Sequence, residues 1–571
     1  MTRRVGWGTI ALAAIALAYS LPIQSVGCAQ TAHYANTKAI AAGTPHIDRW
    51  AGETCDLVRR DGHFYAAKAP GMDLLAAPWY LFLHAVGAVP RNRFGRAPFP
   101  VGMAGVAPRA LWQLGLLVVV VPALVLLALV RRAADRVEPG AGIVVAALLG
   151  LGTLVFPFST LLFAHVVATC FAFAAFALLF RREGSTTAAL AGIAAGLAAS
   201  CDLPLAVPAA LLFLYAAARA PRLRRAAAFA CGGVVGIAPL LAFNAWAFGS
   251  PFHLPYSGAA LNPGAGGREL TPGQHGFFTL AAPRPRVALE LLFSGKGLFV
   301  LAPVLALAVV GAVLLYRRGF RAEATLVAAM LVVELAWNSG RGNGDLPTAL
   351  GGWVPGPRFL IPTLPFLALA LAPLVRRLPA TTAALGLVSV GAMTLATGAE
   401  PLLSNEDTRH WVHRLTGGNF APTWLSLTGI GHGWLAILPF LVLVAVALVA
   451  VARAWPRPIG RTDVGLAAAT LVAWILVEHA APSLLRIDRE VGKAWGALAV
   501  CCLVAALAVA LRRASVAGPR ALLPALPLLA FGTIRFDEHT KWALLLGLAE
   551  LLAIALWPAA AARLRRRPIP A

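Results

Sequence analysis

The residues best equipped for chemistry lie between Cys28 and Gly71, in the stretch CAQTAHYANTKAIAAGTPHIDRWAGETCDLVRRDGHFYAAKAPG. Four carboxylates, Asp48, Glu53, Asp56 and Asp61, fall within fourteen residues, and His63 and Lys68 follow. A carboxylate near an imidazole offers a general base with a hydrogen-bonding partner, and a lysine offers a cation for a phosphate. Lys68-Ala69-Pro70-Gly71 cannot continue a helix cleanly, so it reads as a rigid turn that delivers Lys68. His33, Tyr34, His46 and Tyr65 add further polar groups. The plainer alternative is a solvated loop held by local turns, although long ordered loops are commonly functional.

The rest of the chain must hold that stretch at a membrane. Of 571 residues, 59% are hydrophobic and 13% charged, with a mean hydropathy of +0.76. Soluble domains average about 25% charged residues. The net charge of +24 comes from short clusters between apolar runs, such as Arg131-Arg132, Arg181-Arg182, Arg317-Arg318, Arg376-Arg377 and Arg512-Arg513. That distribution is the positive-inside pattern rather than a nucleic-acid footprint. Anionic headgroups of the membrane lipid add a second attraction for the same clusters.

Arg3-Arg4 and the apolar run Val5 to Gly27 predict a retained first span with a cytoplasmic N-terminus and Cys28 outside. The run Leu74 to Pro90 is short and carries Pro78 and His84. It is expected along the outer interface, because the later arginine pairs then all fall inside. Arg91, Arg93, Arg96 and Arg109 stay outside in that topology. Outer turns are expected near Pro157 to His165 and Cys201 to Pro204, and outer loops over 249–296, 338–358 and 400–432. Further spans near 464–481, 494–511, 521–533 and 541–558 bring the total to about sixteen, with both termini cytoplasmic. The expected fold is an all-α polytopic bundle with outer juxtamembrane loop and helices (the first outer loop covering 28–110), and with its ionisable loops on one face.

Of seven cysteines, Cys170, Cys201, Cys231, Cys501 and Cys502 sit in or beside apolar runs and read as packing residues. Cys28 and Cys55 share the outer loop, where an oxidising compartment would allow a disulfide. Neither a phosphate-binding glycine loop nor a metal-ligand spacing stands out. Mg2+ or Mn2+ bridging carboxylates and phosphate is the one cofactor the loop chemistry admits. Asp202, Glu334 and Glu478-His479 are ionisable groups at or near membrane depth, open to a functional or a structural reading.

Several stretches, in order, resemble the bacterial membrane glycosyltransferases of the GT-C fold, related to protein O-mannosyltransferases and aminoarabinose transferases. They are Ile47-Asp48, Thr54-Cys55-Asp56, Asp61-Gly62-His63-Phe64-Tyr65 with Lys68-Ala69-Pro70-Gly71, and Phe163-Ala164-His165. Asn244-Ala245-Trp246-Ala247-Phe248-Gly249-Ser250-Pro251, Leu292-Phe293-Ser294, Lys296-Gly297-Leu298-Phe299, Gly351-Gly352-Trp353 and Gly356-Pro357-Arg358-Phe359 continue the series. The resemblance covers residues 1–375 and implies a catalytic membrane module there, with 376–571 as additional spans and loops.

It implies transfer of a sugar, with inversion, from a polyprenyl-phosphate donor to an extracytoplasmic glycan, lipid or protein at the bacterial inner membrane. On that reading Asp56, then Asp48, is the general base. His63 and Tyr65 orient sugar or acceptor, with His33, Tyr34, Asp61 and His165 as further substrate contacts. Lys68 and Arg358 bind the phosphate, with Arg341 in reserve. The chain departs from many relatives at Gln30 to Tyr34 and at Ala67, where an acidic residue is common. The alternatives are a transporter or flippase for a lipid-linked substrate, and a non-catalytic lipid-binding relative.

Overall fold

The computed structural model describes residues 6–89, 106–180, 182–256, 259–260, 281–341, 349–402, 409–429, 431–455 and 460–479. The expected spans over 494–511, 521–533 and 541–558, together with Arg91, Arg93, Arg96 and Asn405-Glu406-Asp407, lie outside the described residues.

The chain is a multi-pass membrane protein. Among the described residues, six helices are long and apolar enough to cross a bilayer, or seven if one bent pair is a single span. The six are α4 (Pro108–Val137), α9 (Arg222–Phe248), α12 (Arg321–Ser339), α13 (Arg358–Arg377), α14 (Pro379–Ala399) and α15 (Gly433–Ala454). Shorter apolar helices are α1 (Trp7–Ser20), α5 (Gly142–Leu151), α6 (Ala164–Leu179), α7 (Ser185–Cys201) and α8 (Leu203–Ala217). The bent pair, α10 (Pro285–Leu301) and α11 (Pro303–Arg317), turns through 102°. The straight return expected over Gly297 to Tyr316 is therefore broken, at Pro303, which has no amide hydrogen to continue the ladder. Likewise α1 stops at Ser20 rather than near Gly27. Pro22 follows at once, and Ile23 donates its N–H to Pro422 at 2.7 Å.

Lipid gives helices no hydrophobic reason to associate, so close backbone packing has to do it. The pair α7 and α9 shows how. Cβ atoms added at Gly192, Gly196, Gly232 or Gly236 would overlap backbone atoms of the facing helix. Ser200 Oγ donates to Gly236 O across the same seam at 3.0 Å.

The basic turns collect at one end of the bundle. Glu138, past the end of α4, pairs with Arg318 and, at 3.0 Å, with Arg376. Arg219 reaches Glu323 at 2.6 Å. Buried Arg225 donates to the carbonyls of Ala216 and Arg182, each at 3.3 Å. Asp463, in a further helix α16 (Arg461–His479), accepts the N–H of Thr381 at the head of α14, at 3.0 Å.

At the opposite end sits the segment expected to form the first outer loop, and it is neither all helical nor merely solvated. It comprises α2 (Cys28–Ala41), a 3-10 turn over Asp48–Glu53, strands β1 (Leu57–Arg60) and β2 (His63–Ala66), and α3 (Gly71–Ala85). Asp61 and Gly62, with φ of 49° and 84°, make the two-residue turn whose twist suits an antiparallel hairpin. A third strand, β3 (Ala259–Ala260), pairs antiparallel with β1, giving the order β2-β1-β3. The all-helical expectation is corrected by this sheet. Ala32, Ala35, Ala39, Ile47, Leu57 and Ala66 form a small core beneath it. A disulfide joins Cys28 to Cys55, with Cα atoms 5.1 Å apart. Helix α3 buries Met72, Asp73 and Ala76 and leaves Leu75, Leu81 and Phe82 about half exposed, the pattern of a helix lying in an interface.

The α7–α9 seam yields a paired test. Gly232→Ala should lower the unfolding temperature of the detergent-solubilised protein, at a cost of about 1–3 kcal/mol, because its Cβ meets the Ala189 carbonyl. Gly233→Ala, whose Cβ meets Gly192 O at 3.9 Å, should not. Equal melting temperatures for the two variants would contradict the packing described.

Candidate active site

The turn Lys68-Ala69-Pro70-Gly71 is held against the end of α7. A Cβ at Gly71 would overlap the Ser200 carbonyl and the Cys201 nitrogen, so only glycine admits this approach. The contact seats the first turn of α3 immediately beside Asp202. Asp73, fully buried in that turn, accepts a hydrogen bond from Asn36 Nδ2 at 2.6 Å and pairs with His33 Nδ1 at 2.7 Å. A buried carboxylate needs such partners, and here they fasten α2 onto α3.

Around this seat lies a cluster of charges. Lys68 is ion-paired with Asp56. His165, at the start of α6, is paired with Asp202, at the end of α7. Arg358, only 8% exposed at the head of α13, interacts electrostatically with Asp56, Asp202 and Tyr256. Its guanidinium carbon lies 5.5 Å from the Phe163 ring centre and 4.8 Å from that of Phe359, and its Nε has no hydrogen-bond partner among the described residues. Arg341 packs on the same Phe359 ring, its guanidinium carbon 3.6 Å from the centroid. Glu334, 1% exposed, has no hydrogen bond at either carboxylate oxygen among the described residues and feels Asp202 and Arg341. Tyr256 accepts the Ala69 N–H at 3.1 Å. Burial, then Asp202 and Asp56, pushes its phenol well above the usual range, so it stays protonated and able to donate.

Cations and carboxylates thus converge at the end of the bundle opposite the basic turns. A lysine and buried arginines suit a phosphate, and a carboxylate beside them suits proton removal from a hydroxyl.

A second group stands apart on the loop. Asp48 accepts the Phe64 N–H at 2.7 Å through Oδ1, and its Oδ2 lies 2.6 Å from His63 Nδ1 and 3.0 Å from His46 Nδ1. Burial pushes the Asp48 carboxyl up, but the His63 and Phe64 hydrogen bonds and both histidines outweigh it, and the net shift is downward.

Of the residues singled out in the sequence, Asp56, Lys68, His165, Arg341 and Arg358 belong to the charged cluster. His33 borders it, within electrostatic reach of His165 and Asp202, but is held by Asp73. Tyr34 is buried away from it, edge-on to Tyr80 at 5.9 Å and 4.4 Å beneath Lys38 Nζ. Tyr65 donates to Ala247 O at 3.2 Å and packs on Phe248 at 4.8 Å, tying the hairpin to α9. Asp61 is the exposed hairpin turn, paired only with its neighbour Arg60 at 3.1 Å. Asp48 and His63 form the second group.

Asp73, Asn36 and Tyr256 were not among the sequence candidates. Asp73 carried one usable signal, a lone carboxylate in an apolar run directly after Pro70-Gly71. An acid in a helix first turn is also ordinary complementarity to the helix dipole, which masked it.

The chain matches no family model and no curated protein. Among solved structures it is similar to ArnT from Cupriavidus metallidurans in the apo state, with 16% identity over 86% of this chain and 83% of that one, at a TM-score of 0.42. Against the same enzyme bound to undecaprenyl phosphate the identity is 13% over 88% of each chain, at 0.39. Against the apo oligosaccharyltransferase of Archaeoglobus fulgidus it is 13% over 82% of this chain and 58% of that one, at 0.37. These neighbours are GT-C glycosyltransferases, the group the sequence resembles. Likeness of this degree assigns no activity, which has to be argued from the side chains.

The loop beside the site has its own pH signature. Burial pulls the Lys38 ammonium down to about 8, against the opposing pull of Glu53. An unfolded chain keeps that proton up to 10.5, so between about 8 and 10.5 the unfolded state holds more protons and stability rises with pH. From pH 7.5 to 9.5 the wild type should therefore gain on the order of 2 kcal/mol that the Lys38→Met/Glu53→Gln double variant does not. Parallel pH profiles of unfolding for the two proteins would refute this.

Proposed function

We propose that the chain is an inverting glycosyltransferase of the bacterial inner membrane. It moves a sugar from a polyprenyl-phosphate donor to an extracytoplasmic glycan, lipid or protein. The observation that carries the reading is the convergence of Lys68, Asp56 and buried Arg358 at the outer end of the bundle, opposite the basic turns that face the cytoplasm under the positive-inside rule.

The residues divide the work as follows. The donor phosphate sits between Lys68 and Arg358. Its negative charge competes for Lys68, which releases Asp56 from their ion pair. Asp56 then takes the proton of the acceptor hydroxyl. The hydroxyl oxygen bonds to the anomeric carbon from the face opposite the phosphate, and the bond from that carbon to the phosphate oxygen breaks. The electron pair stays on the polyprenyl phosphate, whose charge the two cations stabilise. Tyr256 and His165 line the same group and would contact the sugar. Asp48 is second as base, because two histidines and a backbone N–H already occupy its oxygens.

The rival reading, a flippase or transporter, expects ionisable groups at mid-membrane between paired repeats. Here they gather at one end beside the folded outer loop, which weighs for the enzyme.

Purified wild type given a panel of polyprenyl-phosphate sugars and an envelope extract should release or transfer sugar from one member. Asp56→Asn should lower that rate at least about 100-fold while keeping its unfolding temperature. Loss on Asp48→Asn with Asp56→Asn active would move the base to Asp48. Bound donor with no turnover by wild type would overturn the enzyme reading.

A further inference from the structure

The sequence shows no metal-ligand spacing, yet the fold gathers a ligand set. We infer that His46, Asp48 and His63 form a divalent transition-metal site, with Zn2+ as its natural occupant. This proposal does not depend on the glycosyltransferase reading.

One nitrogen from each imidazole and one carboxylate oxygen lie within 4.8 Å of one another. Two imidazoles and a carboxylate are a donor set that suits Zn2+ and leaves a coordination position open. Hard cations such as Mg2+ prefer oxygen alone. Two of the three side chains come from regular elements. His63 opens β2, paired in register with Arg60, and Asp48 opens the 3-10 turn. The two segments are tied by Ile47 N–H to Phe64 O at 2.7 Å. Asp48 Oδ1 is fixed by the Phe64 N–H, which leaves Oδ2 facing both rings.

The rings stack with centroids 4.4 Å apart. His46 Nδ1 lies 3.0 Å from Asp48 Oδ2 but makes no hydrogen bond among the described residues. Two imidazoles crowding one carboxylate oxygen, one of them out of line for a hydrogen bond, is an arrangement a cation between them would complete. Each residue keeps roughly a third to a half of its side chain exposed (33%, 32% and 49% respectively), so an ion has an entry path. Bound there, it would clip the hairpin to the 3-10 turn, across the loop that the Cys28–Cys55 disulfide already closes on its other side.

The test uses full-length protein purified with a non-histidine tag, stripped with EDTA and titrated with ZnCl2 against a chromogenic chelator. Wild type should take up one Zn2+ per chain and melt at a higher temperature when loaded. His46→Ala/His63→Ala should bind at least about tenfold more weakly and lose the thermal shift, with unchanged size-exclusion profile and far-UV circular dichroism. Equal uptake by wild type and the double variant, or none by wild type, would overturn the site. If the double variant does not fold, the Co2+-loaded wild type decides. Intense visible absorption from low-symmetry nitrogen and oxygen ligation supports the site, and the spectrum of hydrated Co2+ overturns it.

Discussion

A guanidinium buried at the head of a wholly buried helix must find anions, and much of the protein around Arg358 is arranged around that need. Arg358 begins α13, whose membrane window is 100% buried. Taking such a charge out of water costs several kcal/mol unless carboxylates and hydrogen bonds offset it. Asp56 and Asp202 supply the countercharge, from the outer loop and from the end of α7. One element must therefore be carried down to the membrane surface and another must end there. The glycine contact of Gly71 with α7 and the small-residue seam between α7 and α9 bring both to the same point. Among the described residues, Nε of Arg358 and both oxygens of Glu334 lack hydrogen bonds. A site that is rigid, charged and short of partners is prepared for a charged ligand.

The outer loop illustrates how a folded scaffold sorts groups that look alike in sequence. Its four neighbouring carboxylates go to four different surroundings. Asp48 meets two histidines, Glu53 a buried lysine, Asp56 the lysine at the cluster, and Asp61 solvent. Asp48 and Glu53 sit at the two ends of the 3-10 turn, Asp56 just before β1 and Asp61 in the hairpin turn, so each is carried to a different place. Density of charge along the chain located the loop, and only the fold assigned the roles.

That contrast also marks what could be read beforehand. Apolar runs and arginine pairs announce the spans and their basic ends, because both signals are local and repeated. The turn at Lys68-Ala69-Pro70-Gly71 is equally plain, since proline and glycine restrict the backbone wherever they stand. The hairpin is encoded in Asp61-Gly62 between Leu57-Val58 and Phe64-Tyr65, but the strands are only four residues each and the first is rich in charge, which weakens the alternation that marks a strand. The pairs His33–Asp73 and His165–Asp202 were not legible. Each joins residues about forty apart, and such a meeting depends on the rotation and depth of two helices that composition does not specify. The same holds for His46, Asp48 and His63, whose convergence needs the strand register.

The most direct measurement of the central claim is lipid binding by the folded protein, comparing a polyprenyl phosphate with the same polyprenol lacking the phosphate. If Arg358 and Lys68 are a phosphate seat, wild type should prefer the phosphate at least about tenfold, and Arg358→Gln should lose that preference while still binding the polyprenol. Equal affinity for the two lipids, or a preference that survives in a folded Arg358→Gln variant, would contradict the account.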